Sequence, residues 1–198
     1  ILLIADEVQC GNCRSGRYYA SEYWKEAGAA PDIIATAKSL GGGVPISAIT
    51  AREEIMDSVP VGTIGGTYCG NPLACASALK VMDIMLEEDY AGKAEEIGKK
   101  ATIFFSGLKE KYEEVGDVRG LGSMLGVEFV KTKAEKEPNG ELVSKVIQNA
   151  LQMGLMLENA GTHGNVIRFL VPLCVTDEQL EKGFEIFETA LVKAKSDK

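Results

Sequence analysis

Short apolar runs separated by turn residues dominate the first part of the chain. Residues 1–5 and 33–35 are apolar runs of strand length, and Pro31-Asp32 precedes the second, so the pattern predicts two short buried strands. The aromatic residues Tyr18, Tyr19, Tyr23 and Trp24 lie between these runs, on a predicted first helix. A further strand at 46–50 and a short helix at 51–59 are predicted beyond the second run.

The next element is predicted with a clear start and a clear end. Asn71 suits the N-cap of a helix and Pro72 its first turn. The helix that follows is apolar nearly all round, so it is expected to be buried. The acidic run 87–89 then marks the predicted boundary between a domain of residues 1–88 and one of residues 89–198.

The second part of the chain predicts an α+β domain. Apolar residues repeat every three or four positions between 94 and 115, which indicates a long amphipathic helix. Thr176 and Gln179 form a capping box that opens the last helix. The other predicted elements are strands at 124–130, 155–157 and 166–171 and a helix at 141–153. The whole chain is therefore assigned to the α/β class.

Composition narrows the function classes. Twenty-one basic and 29 acidic residues give a net charge of −8, which argues against a nucleic-acid or anionic-membrane partner. No apolar stretch approaches membrane-spanning length. Five cysteines, an odd number, are expected to be reduced thiols in a cytoplasmic protein.

The candidate chemistry lies at the ends of the first two predicted strands. Asp6 ends the first, and Lys38, at the head of a glycine-rich turn, follows the second. A buried carboxylate and a lysine at neighbouring strand ends suit a cofactor with a basic ring nitrogen at one edge and an aldehyde at the other. Pyridoxal phosphate (PLP) is that cofactor.

Four motifs in order resemble the class III, omega-amino-acid aminotransferases, and most closely the 4-aminobutyrate aminotransferases among them. They are Asp6-Glu7-Val8-Gln9, Pro31-Asp32-Ile33, Lys38-Ser39-Leu40 with its glycines, and the segment from Gly65 to Ala74. Two later segments, Gly116 to Gly122 and Asn165 to Leu173, also fall in the family's order. The resemblance implies the PLP-dependent transferase fold (fold type I). Residues 1–88 would be the C-terminal part of the large PLP-binding domain, a mixed-sheet domain, and residues 89–198 the small C-terminal α+β domain. Family members are much longer, so the chain is expected to be a C-terminal half that alone is inactive and binds PLP poorly.

The resemblance also assigns roles around the cofactor. Lys38 would form the Schiff base, and Asp6 would face the pyridine nitrogen and keep it protonated. Val8 would pack against the ring, and Gln9 would hydrogen-bond near its phenolic oxygen. Glu7 would point away into the supporting structure.

Two further residues carry expected binding roles. Thr67, in a glycine-flanked turn before a helix, would bind the cofactor phosphate of the partner subunit, which implies a homodimer; the alternative is a capping threonine. Arg168 lies within an apolar strand and would grip the substrate carboxylate. Its alternative is an edge-strand arginine that pairs with a surface acid.

The loop after Asp6 departs from the usual family pattern. Cys10, Asn12 and Cys13 stand where threonine, an aromatic and a small residue are commoner, which leaves the substrate open. Cys10 and Cys13 form a lone C-x-x-C, but with the single histidine, His163, a four-ligand zinc site is hard to complete, so no metal is expected. Arg14 matches a family arginine without a firm role.

The expected reaction is transamination of an omega-amino acid, with 2-oxoglutarate as the amino acceptor. Three alternatives stay open: an amino-acid racemase or epimerase of the same fold, an aminomutase, or a fragment that binds no cofactor.

Overall fold

Three short strands form the sheet of the first unit. The computed structural model describes residues 1–196, and it divides into two compact units, the second beginning at Glu95. In the first unit, β1 (Ile4–Asp6) pairs in parallel with β2 (Ile33–Thr36), and β3 (Ala48–Ala51) pairs antiparallel with β2. The helices are α1 (Glu22–Glu26), α2 (Glu53–Met56) and α3 (Pro72–Glu87).

The predicted strands are present, but their predicted burial is wrong. Residues 1–4 are exposed, Ala5 is buried, and Asp6 is exposed again. β1 is an edge strand among the described residues, so neighbours cover it incompletely. The aromatic cluster also differs from the prediction, because Tyr18 and Tyr19 precede α1 and pack edge to face, with ring centroids 4.9 Å apart.

Helix α3 begins as predicted but is not buried all round. The Asn71 side chain accepts hydrogen bonds from the backbone N–H groups of Leu73 and Ala74, and Pro72 occupies the first helical position. Only the face with Ala74, Ala78 and Met85 is buried, whereas Leu73, Leu79 and Leu86 are 74%, 63% and 67% exposed. The sequence pattern overestimated burial because only one side of α3 has packing partners among the described residues.

The second unit is built on a four-stranded antiparallel sheet. Its strands are β4 (Val115–Leu121), β5 (Met124–Phe129), β6 (Glu158–Ala160) and β7 (Val166–Phe169), in the order β4-β5-β7-β6. The remaining helices of the chain are α4 (Tyr90–Lys111), α5 (Gly140–Gln152) and α6 (Asp177–Ser196). Phe105, Phe129, Ile167 and Leu191 are among the largest fully buried side chains.

Most of the helices and strands predicted for the second unit are confirmed. The capping box is present, since the Gln179 N–H donates to Thr176 Oγ1 at 3.2 Å and the Thr176 N–H donates to Gln179 Oε1 at 3.1 Å. The apolar pattern does not predict strand β4, because Gly116 and Gly120 interrupt it. Strand β6 follows the predicted 155–157 segment instead of occupying it.

The predicted division at 88/89 falls shortly before the observed boundary and stays a prediction. Among the described residues, none of the helices combines the length and the apolar character needed to cross a membrane.

Candidate active site

The parallel pairing of β1 and β2 brings Asp6 and the segment carrying Lys38 to one edge of the sheet. Asp6 lies opposite Ala35 in the register, and the Glu7 N–H donates to the Ala35 carbonyl at 2.8 Å. Lys38 comes three residues after Ala35. Because β1 and β2 are parallel, the two candidate residues leave adjacent strands at the same end. Neighbouring strands lie about 4.8 Å apart.

The Asp6 carboxylate is oriented by its own turn. Its Oδ1 accepts a hydrogen bond of 3.1 Å from the Val8 N–H, and its other oxygen has no hydrogen bond within the described part of the chain. The expectation of a buried carboxylate is wrong here, because Asp6 is exposed. Val8 and Gln9 follow in half-buried positions. The carboxylate is thus held by one oxygen and available at the other.

Lys38 begins a tight turn in a conformation that is unfavourable for lysine. Its φ is +49°, and it opens the 3-10 turn Lys38–Gly41 with its side chain exposed. A left-handed non-glycine residue costs about 1–2 kcal/mol and persists only where the surroundings fix it. The turn is closed by the Leu40 N–H, which donates to the Ala37 carbonyl at 3.1 Å.

Helix α3 fixes the far end of the same turn. The Ser77 hydroxyl donates to the Gly41 carbonyl at 2.8 Å. Gly42 has φ +57°, and a Cβ placed there would approach Val81 Cγ2 to 2.7 Å. Gly42 therefore permits both the left-handed turn and the close approach of the helix.

Glu7 supports the site from the opposite face of β1. Its side chain is 1% exposed, and its carboxylate accepts hydrogen bonds from the Ser21 N–H at 2.6 Å, the Ala20 N–H at 3.1 Å and the Cys10 thiol at 3.2 Å. Side chains alternate across a strand, so Asp6 and Glu7 point to opposite faces. Glu7 therefore fixes the loop that returns behind the strand.

The loop after β1 supplies a residue that sequence reasoning passed over. Asn12 is 2% exposed, and its side-chain amide donates to the Ala37 carbonyl at 3.1 Å and to Thr36 Oγ1 at 3.4 Å. It therefore bonds the residue that precedes Lys38. The one signal in the sequence was that Asn12 departs from the family pattern.

The C-x-x-C thiols are poorly suited to zinc or redox chemistry. Burial, together with the hydrogen bond to Glu7, raises the pKa of Cys10 to about 11, and burial raises the pKa of Cys13 to about 11. Metal binding and thiol exchange both use the thiolate, which these sites disfavour. Within residues 1–196, no group of three His, Cys, Asp or Glu side chains could hold a metal ion.

These pKa shifts predict a labelling order for the native protein. At pH 8, iodoacetamide should modify the exposed Cys69 and Cys174 at least about tenfold faster than Cys10 and Cys13, because only about one in a thousand of the latter thiols is ionised. Peptide mass spectrometry over time measures this. Equal labelling of Cys10 and Cys69 at pH 8 would contradict the account.

Because the folded pKa values of Cys10 and Cys13 are raised, the protonated thiols stabilise the fold below about pH 9, and this contribution should be lost as the pH rises through 11.

Thr67 lies in an exposed turn that precedes α3. The segment 61–70 is exposed throughout, and its turn is closed by the Cys69 N–H, which donates to the Gly66 carbonyl at 3.0 Å. The alternative of a helix-capping threonine does not apply, because the cap of α3 is Asn71.

Arg168 lies on β7, an inner strand of the second unit. Its guanidinium forms an ion pair with Glu158, its neighbour across the antiparallel β6–β7 pair. β7 is thus not the edge strand of the alternative interpretation, although Arg168 does pair with an acid. Both side chains line a cavity of about 480 Å³, whose other lining residues carry no charge.

The Asp6 and Lys38 arrangement fits PLP on the evidence of the chain itself. An oriented carboxylate and a lysine leave adjacent parallel strands at one end, which is the relation that the ring nitrogen and aldehyde of PLP require.

Comparison with known proteins gives the same family. The sequence model of the class-III aminotransferases matches residues 1–191. The chain is 45% identical over 186 residues to a 5-aminovalerate aminotransferase of Pseudomonas aeruginosa, with 94% of this chain and 43% of that protein covered. It is 41% identical over 195 residues to the 4-aminobutyrate aminotransferase of Escherichia coli, with 98% and 45% covered. The chain belongs to the class III aminotransferase family.

Two more relatives bear on function and cofactor. A leucine/methionine racemase of Thermococcus litoralis is 43% identical over 191 residues, covering 96% of this chain and 42% of that protein. An amine transaminase from an uncultivated Pseudomonas species, solved in the PLP-bound form, superposes with a TM-score of 0.87 at 33% identity, covering 98% of this chain and 44% of the other. The chain thus spans less than half the length of these relatives.

Proposed function

We propose that this chain forms part of a PLP-dependent aminotransferase that transfers the amino group of an omega-amino acid, such as 4-aminobutyrate or 5-aminovalerate, to 2-oxoglutarate. The observation that carries the proposal is the parallel register that brings Asp6 and Lys38 to adjacent strand ends. The names of the relatives support the substrate class. A polypeptide of the relatives' length that includes this chain is called the full-length enzyme below.

Each residue at the strand ends has a distinct task. PLP, when bound, supplies an electron sink that stabilises the substrate carbon after it loses a proton. Lys38 would hold the cofactor through Nζ, and its free amine would carry a proton at Nζ. The Asp6 carboxylate, oriented by the Val8 N–H, would face the ring nitrogen. Val8 would pack on one face of the ring, and Gln9 would hydrogen-bond near its phenolic oxygen.

Thr67 is proposed to bind the cofactor phosphate of a partner subunit in a homodimer. Its hydroxyl and the backbone N–H groups of the turn before α3 suit an anion. The exposure of segment 61–70 leaves this turn accessible to a second subunit.

Arg168 is proposed to bind the substrate carboxylate. A guanidinium can form two parallel hydrogen bonds to a carboxylate, and one nitrogen of the Arg168 guanidinium already pairs with the Glu158 carboxylate. An incoming carboxylate would therefore displace Glu158, which makes Glu158 a competitor that weakens substrate binding.

The test of function is glutamate formation from 2-oxoglutarate. We expect the full-length enzyme, supplied with PLP and 4-aminobutyrate or 5-aminovalerate, to form glutamate in step with amine consumption. The racemase relative favours a second candidate, which needs no oxo acid and would invert leucine or methionine. Inversion without glutamate formation would replace the proposal. The isolated 198-residue chain should be inactive in both assays.

Variants of the ion pair test the carboxylate role. Arg168→Met should raise KM for 4-aminobutyrate about 10–100-fold, because a charge-assisted pair is lost. The matched change Glu158→Gln keeps the side-chain shape but removes the competing charge, so KM should stay the same or fall. A simple amine without a distal carboxylate should show neither effect. A rise in KM with Glu158→Gln equal to that with Arg168→Met would show that the pair serves only the fold.

A further inference from the structure

We propose that Asn12 is a positioning residue for Lys38. The inference rests on the proposed function of Lys38 and extends it to a residue to which the family pattern gives no role. Asn12 acts through the backbone, because its side-chain amide donates to the carbonyl of Ala37, the residue that precedes Lys38.

The peptide between Ala37 and Lys38 sets the direction of the lysine. Rotating that peptide changes ψ of Ala37 and φ of Lys38 together, so the direction of the Ala37 carbonyl and the positive φ of Lys38 are linked. The Asn12 amide and the Leu40 N–H both donate to this one carbonyl, each at 3.1 Å. If the peptide turned over, both hydrogen bonds would break.

The surroundings make Asn12 a rigid donor. The side chain is 2% exposed, and its amide also donates to Thr36, which is buried at the end of β2. Its own φ is +54° and that of Cys13 is +69°, in the left-handed region that asparagine tolerates better than most residues. The Cys13 N–H donates to the Tyr18 carbonyl at 3.1 Å, which fixes this conformation.

Ser77 supports the other end of the same turn, so the segment carrying Lys38 is held on both sides. Asn12 acts before the lysine and Ser77 after it, at Gly41. A purely structural tether would stabilise the fold without influencing the lysine. A positioning residue has an additional consequence, since a misplaced reacting group slows the chemical step more than it weakens substrate binding.

The test compares isosteric and side-chain-deleting variants in the full-length enzyme. Asn12→Asp keeps the size and the tolerance for positive φ but cannot donate to the Ala37 carbonyl. Asn12→Gly keeps the backbone freedom and removes the side chain, and it decides the matter if Asn12→Asp does not fold. Asn149→Asp is the matched control, because Asn149 is also buried and its amide donates to the Ala190 carbonyl at 3.5 Å.

We expect kcat to fall about 10–100-fold in the Asn12 variants, with KM for the amino donor changed less than about twofold. In the protein without cofactor, amide hydrogen exchange of residues 37–42 should accelerate at least about tenfold, and Asn149→Asp should leave it unchanged. If the Asn12 variants lose only thermal stability, as Asn149→Asp does, the proposal is overturned. The exchange measurement needs no bound PLP, so it separates failure of this inference from failure of the proposed function.

Discussion

Replacement of Lys38 by alanine should lower kcat of the full-length enzyme by at least about a thousandfold, because the proposed attachment and proton-carrying group is removed. Lys38→Arg is the decisive companion, since arginine keeps the positive charge but cannot bond the cofactor aldehyde. Both variants should be equally inactive in steady-state assays of glutamate formation. The Lys38 side chain is exposed, so neither change should alter the melting temperature much.

Substantial turnover in either variant contradicts the assignment. Activity in Lys38→Arg alone would mean that the site needs only a cation at this position. Activity in both would mean that another lysine attaches the cofactor.

Replacement of Asp6 by asparagine should lower kcat about 100–1,000-fold, because the amide can still accept from the Val8 N–H but cannot hold a charge beside the ring nitrogen. The loss should appear in kcat with both amine and oxo-acid substrates, since each half of the reaction uses the protonated ring. Bound cofactor should also show a changed absorbance spectrum.

Asp32→Asn is the matched control in the same unit. Asp32 accepts from the Leu3 N–H at 2.7 Å and pairs with Arg52 at 2.6 Å, at the amino end of β2 and away from the proposed site. Those contacts lower the pKa of Asp32, the Leu3 hydrogen bond most of all, so the ionised form favours folding. Asp32→Asn should therefore reduce stability and leave kcat unchanged. A similar loss of kcat in both variants would assign Asp6 a structural role only.

Local sequence signals predicted the elements that position the site. The apolar runs predicted β1 and β2, and Lys38 lies just beyond the second run. To bring Lys38 to the same edge of the sheet as Asp6, the two strands only had to be neighbours, as they are. Asn71 with Pro72, and Thr176 with Gln179, predicted helix starts because caps depend on a few adjacent residues. These signals depend on neighbouring residues, so they can be recognised in the sequence without knowing how the elements pack.

Burial could not be predicted in the same way. The apolar run of residues 1–4 and the leucines of α3 predicted buried elements, yet these side chains are exposed among the described residues. An apolar side chain is buried only where a partner covers it, and the pattern does not say which partners are present.

The role of Asn12 was equally beyond local reasoning. Its bond to the Ala37 carbonyl joins residues 25 positions apart, and it depends on positive φ values at Asn12 and Cys13 that no sequence motif specifies. The departure from the family pattern drew attention to the loop as a determinant of substrate. Its contacts instead point to the lysine turn.

Borohydride reduction of the full-length enzyme with bound PLP, followed by digestion and peptide mass spectrometry, tests the central claim most directly. The account predicts one reduced phosphopyridoxyl group on the peptide that contains Lys38, in near-stoichiometric yield, and none in Lys38→Arg. An active enzyme whose adduct lies on another lysine, or that carries none, would contradict it.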